Sequence, residues 1–171
     1  MRYLLLLFLI LFAHVSYGGQ FIHQNRSTDA GVNTSLYTTG DQMGDLFLLD
    51  GVGSKGATIH VDTVGVMDNA GQDAAFDILL FNDKPVLTSV DNGALAMSEA
   101  EFRSKFIGKY AIVATDYSDL DTGSVAFAAF AHRSIKLKNG STGVWGILQA
   151  KDGPTYGAAT DLMLNFIFET E

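Results

Sequence analysis

The sequence predicts an all-β protein, a jelly-roll-like β-sandwich with one short helix near residues 98–106. Three observations predict it. Apolar residues recur at every second position in several runs, as in "ATIHVDTVGVMD" (57–68), where Ile59 and Val61 face one side and His60 and Asp62 the other. Clusters of Gly, Asn and Asp punctuate the runs at short intervals. One stretch carries helix signals. Many short strands with Gly-rich turns and a single helix indicate two stacked sheets.

Taken in order, residues 1–19 stand apart. Arg2 precedes an apolar run from Tyr3 to Ala13, and the small residues Ser16, Gly18 and Gly19 follow. This is the pattern of a signal peptide or N-terminal anchor. The run is shorter than the roughly 20 residues of a membrane span. Residues 20–33, "QFIHQNRSTDAGVN", are polar and turn-rich and read as a flexible arm. A single β-sandwich domain is expected over 34–171.

Within it, "TSLYTTG" (34–40) reads as a first strand and "GDLFLLDG" (44–51) as a second. "AAFDILLF" (74–81) is apolar on both faces, as a central strand would be. "KYAIVAT" (109–115), "SVAFAAFAH" (124–132), "VWGILQA" (144–150) and "LMLNFIFE" (162–169) are similar. "SIKLK" (134–138) alternates Ile135 and Leu137 with Lys136 and Lys138, and such lysines protect an edge. Ser98-Glu99-Ala100-Glu101 fits a capping box, and Phe102 and Phe106 share one helical face. The helix is expected to plug an open edge or one end of the core.

Composition restricts function. The formal net charge is −8, which repels phosphate backbones and anionic lipid. No nucleic-acid partner is expected, and no membrane partner once the leader is removed. The chain has no Cys, which excludes disulfides and thiolate chemistry. The sequence has no G-x-S-x-G, H-E-x-x-H or phosphate-loop signature. No catalytic residue or cofactor is assigned, and the chain is read as non-enzymatic.

The candidate ligands are few. "DYSDLDTG" places Asp116, Asp119 and Asp121 within one tight turn, the arrangement a calcium ion asks of an oxygen-rich loop. Asp68 and Asp73 in "DNAGQD" form a sparser version. His60 and His132, with Asp62, would need to converge to hold a metal, whereas His14 belongs to the leader and His23 to the arm. Trp145, Tyr110, Tyr117 and Tyr156 would form a sugar-stacking platform if they shared a surface; otherwise they fill the core. Three sequons start at Asn25, Asn33 and Asn139, as polar loops often produce.

Several phrases together resemble a family of small tailed-bacteriophage virion proteins. They are "YTTGDQMG" (37–44), "FDILLFNDKP" (76–85), "VDNGALAMSEAEF" (90–102), "GVWGILQAKDGPTY" (143–156) and "DLMLNFIFE" (161–169). The resemblance spans roughly residues 37–169 and rests on packing and turn motifs. It implies a virion structural or capsid-associated component with no assigned chemistry, working through self-association or contact with other virion proteins. It also implies a virion location, whereas a genuine leader implies a secreted or periplasmic one. The alternative from the residues alone is an exported β-sandwich that binds carbohydrate or another surface, with calcium as an aid.

Overall fold

The computed structural model describes residues 22–170, the side chains at 22–25 and 130–133 excepted. Two antiparallel sheets face each other. One contains β1 (Ile22–Asp29), β3 (Thr58–Asp68), β6 (Tyr117–Leu120), β7 (Gly123–Lys136) and β9 (Leu162–Thr170), in the order β1-β9-β3-β7-β6. The other contains β2 (Gln42–Leu49), β4 (Phe76–Phe81), β5 (Phe106–Ile112) and β8 (Val144–Ala150), in the order β2-β8-β4-β5. With the short β6 set aside, the first strand pairs with the last, the second with the next to last, and so inward to β4 and β5. That nesting is a jelly roll: one long folded ribbon wrapped into two layers.

Alternation positions the core. β9 buries Leu162, Leu164, Phe166 and Phe168 and turns Met163, Asn165 and Ile167 outward. Phe166 and Leu164 lie in register with Val64 and Val66 of β3, and all share one core with Phe76, Ile78 and Leu80 of β4. Phe166 stacks on Phe168 at 6.0 Å and tilts against Phe47 of β2 at 6.1 Å. Gly146 on β8 leaves room for Phe47, since a Cβ there would lie 2.3 Å from the ring.

Three expectations about the strands need correction. The flexible arm contains β1, which pairs with β9 along its full length from Ile22↔Thr170 to Asp29↔Met163. "TSLYTTG" is a turn region rather than a strand, because its groups are taken by local bonds such as Thr38 N to Asp41 Oδ2 at 2.7 Å. "SVAFAAFAH" and "SIKLK" are one strand, β7. The edge reading of "SIKLK" holds, because β6 pairs with β7 only over Gly123–Ala126. Residues 1–19 lie outside the described residues.

The helix, α1 (Glu99–Lys105), starts where the sequence puts it. Ser98 Oγ accepts the Glu101 amide at 3.2 Å. The second half of the capping box is not made. Glu101 instead accepts the Val86 amide at 2.9 Å and the Lys105 ammonium at 2.5 Å. Nor is α1 a plug, for it buries no residue and Phe102 is 39% exposed, stacked on Phe106 at 4.4 Å.

The covering element is the segment before the helix. Residues 82–98 fold back as a strap over the outer face of the four-stranded sheet. Leu87, Leu95 and Met97 pack there on Leu79, Phe81 and Ile147, making a second apolar cluster. This explains why "FDILLF" is buried on both faces.

Candidate functional site

The strap is tied down at its tip. Asp91 Oδ1 accepts the Tyr37 hydroxyl at 2.8 Å and the Gly44 amide at 2.7 Å, while Tyr37 also accepts the Asn33 amide at 2.7 Å. Burial pushes the Tyr37 phenol well above its ordinary range, and Asp91 adds to that. Gln42 of β2 exchanges backbone bonds with Asn92 and Gly93, and its side-chain oxygen accepts Ser89 Oγ at 2.8 Å. The phrases "YTTGDQMG" and "VDNGALAMSEAEF", distant in sequence, are therefore two halves of one joint. A groove of about 700 Å³ runs between β2 and the strap, lined by Asp45, Leu46, Val86 and Val90 among others.

Ion pairs fix the other end. Lys84 sits 5.1 Å from the centroid of Trp145, and Lys138 pairs with Asp83. The hydrogen bond from Lys138 holds the Asp83 carboxyl below the usual carboxylate range. The bonds from Lys105 and from the Val86 amide do the same for Glu101. Asp77, buried on the outer face of β4, takes both Lys109 at 2.9 Å and Lys151 at 2.8 Å. These are clamps on strands and loops.

Among the described residues no strap covers the opposite sheet. On its outer face Phe127 of β7 is 70% exposed, lying across Gly65 of β3, where a Cβ would stand 3.1 Å from the ring. Met67, 39% exposed, lies in register with Val125 on one side and Met163 on the other. A shallow depression of about 110 Å³ joins these residues and Asn165. None of its lining residues is ionisable.

The sequence-predicted ligands are scattered. Asp116 closes a single 3-10 turn by accepting the Val113 amide at 2.9 Å, Asp119 is exposed on β6, and Asp121 is exposed in the β6–β7 turn. Among the described residues no three His, Asp or Glu side chains form a group that could hold a metal ion. His60 lies beside Ser134 at 3.4 Å on the outer face, and the side chains of His23 and His132 lie outside the described residues. The four aromatics do not share a surface. Tyr110 and Tyr156 are in the main core, Tyr117 packs against it, and Trp145 lies on the far face of the other sheet under Lys84. Sequence reasoning missed the Met67–Phe127 patch. Its signal was "AFAAF" (126–130) beside a Gly-containing strand, which reads equally well as core.

No family model matches the chain, and no curated protein matches it. Among solved structures, it is similar to a chain in the native virion of Kashmir bee virus at neutral pH. That chain shares 14% identity, with 87% of this chain and 68% of that chain covered, at a TM-score of 0.25. No helix among the described residues is long and apolar enough to cross a membrane.

Proposed function

We propose that this chain is a structural, non-enzymatic building block that self-associates within a virion-type assembly. The observation that carries the reading is the uncharged patch around Phe127, which no described residue covers, while the strap covers the other sheet. Charge argues for this face in particular. Two copies of a chain with net charge −8 repel each other, and they meet at least cost where neither presents a charge. The jelly-roll order and the resemblance to small phage virion proteins support the same role.

Sedimentation velocity of the full chain over a range of concentration and salt tests it. The expected result is association that strengthens with salt, as screening removes like-charge repulsion. Phe127→Asp should return the protein to monomer with its circular dichroism unchanged. A wild type that stays monomeric at every concentration, or an associated Phe127→Asp, would sink the proposal.

A further inference from the structure

The chain has two Asn-Gly pairs, Asn92-Gly93 and Asn139-Gly140. In such a pair the glycine nitrogen follows the asparagine carboxamide directly, and no Cβ hinders its approach. The fold treats the two pairs in opposite ways. Asn92-Gly93 is held at the tip of the strap. The Asn92 amide donates to the Gln42 carbonyl at 2.9 Å, and the Gly93 amide donates to the Val90 carbonyl at 3.0 Å. The side-chain oxygen of Asn92 is buried.

Asn139-Gly140 lies in the turn between β7 and β8, and both residues are exposed. Bonds fix the turn on either side of them. The Leu137 amide donates to the Ala57 carbonyl, the Ser141 amide to the Lys138 carbonyl and the Val52 amide to the Thr142 carbonyl, each at 2.9 Å. Thr142 Oγ1 donates to Asp50 Oδ1 at 2.6 Å. Between these anchors, neither the Gly140 amide nor the Asn139 side chain has a hydrogen-bond partner among the described residues. Asn139 Oδ1 lies over Gly56, 3.0 Å from where a Cβ would stand, and a Cβ on Gly140 would meet nothing within 4 Å.

We propose that Asn139 is a site of spontaneous deamidation in the folded chain, while the fold protects Asn92. The Gly140 nitrogen gives its proton to water or hydroxide and attacks Asn139 Cγ. The new C–N bond closes a five-membered succinimide. The bond from Cγ to the side-chain nitrogen breaks, and that nitrogen takes up a proton and leaves as ammonia. Water then opens the ring. Opening at Cγ gives aspartate; opening at the main-chain carbonyl gives isoaspartate, with the backbone rerouted through Cγ and lengthened by a methylene. In sum one water is consumed and one ammonia released, with no oxidant or reductant. Either product adds one negative charge, taking the formal net charge from −8 to −9, and removes the sequon at Asn139. At Asn92 the same route is blocked twice, since the Gly93 nitrogen is tied to Val90 and the carboxamide oxygen is closed to water.

Peptide mapping by mass spectrometry tests this, on the full chain incubated in mildly alkaline buffer with and without urea. In the native chain Asn139 should convert, with isoaspartate exceeding aspartate, as ring opening gives and direct hydrolysis of the side chain does not. Asn92 should convert roughly tenfold more slowly or less, because it must wait for the strap joint to open. In urea the two sites should convert at rates within a few-fold of each other. Gly140→Ala should slow the reaction at Asn139 several-fold, because its methyl group hinders the attacking nitrogen. The proposal is overturned by an Asn139 that stays intact in the native chain, by aspartate without isoaspartate, by equal native rates at the two sites, by an Asn92 that stays intact in urea, or by an unchanged rate in Gly140→Ala.

Discussion

Tyr37 and Asp91, 54 residues apart in sequence, meet through one hydrogen bond of 2.8 Å, and the same carboxylate oxygen takes the Gly44 amide. This joint holds the strap against β2. Asp91→Ala strands a buried hydroxyl and an amide, and should destabilise the protein by about 2–3 kcal/mol. Tyr37→Phe should cost less. Chemical denaturation of both and of the double variant should give a coupling of about 1 kcal/mol; strict additivity would show that the joint does not act as a unit.

Gly44 is at φ +70, and a Cβ there would stand 1.8 Å from the Ala30 carbonyl oxygen. Gly44→Ala should therefore cost on the order of 3 kcal/mol or more, from strain and collision together. Gly140 has φ +89 but nothing within 4 Å. Gly140→Ala should cost only about 1 kcal/mol, the conformational part alone. Equal losses in urea melts would argue against the close approach at Gly44.

Phe81 and Phe102 belong to the same aromatic group through Phe106 but differ in burial. Phe81 is fully buried beneath the strap, whereas Phe102 is 39% exposed on α1. Phe81→Ala should cost about 3–5 kcal/mol and Phe102→Ala about 1 kcal/mol. A larger loss at Phe102 would restore the helix as a core element.

Trp145 is the single tryptophan of the chain and packs with the strap residues around the second cluster. Its emission therefore reports the strap. Leu87→Ala should make the tryptophan transition precede the loss of far-ultraviolet circular dichroism as denaturant rises, because the strap has its own small cluster and can open locally. Coincident transitions in that variant would mean that strap and sandwich unfold together.

Burial raises the phenols of Tyr37, Tyr117 and Tyr156 above their ordinary value. Each contributes stability that is fully present below the unfolded value of about 10 and is lost as pH climbs past it, by about 1.4 kcal/mol per pH unit per phenol. Melting temperatures should fall steeply above about pH 10. Tyr156→Phe should flatten that slope, and an unchanged slope would mean that its hydroxyl ionises as freely in the folded chain as in the unfolded one.

The parts of the fold visible in sequence are those decided locally. β3 shows its inner face by the alternation of Ile59 and Val61, β8 and β9 show themselves as apolar runs, and Ser98 marks the start of α1. β1 was not visible because "IHQNRSTD" has little apolar periodicity; its pairing is set by the edge of β9 rather than by its own hydrophobicity. The covering strap was not visible because Leu87, Leu95 and Met97 lie in a polar, turn-rich segment, and their partner is the second face of β4. Asp68, whose carboxylate takes the amides of Ala70, Gln72 and Asp73, stands out in "DNAGQD". Asp152 reaches the same turn, at the Ala75 amide, from the loop after β8, which no local spacing encodes.

β9 follows every other strand in sequence, yet it lies inside its sheet, bonded to β1 on one side and β3 on the other. While the chain is being synthesised, β1 and β3 therefore wait with open edges until residues 162–170 have left the ribosome. Closure of this sheet needs residues 162–170, and a product stopped short of Leu162 would leave β1 and β3 with edges able to pair with a neighbour.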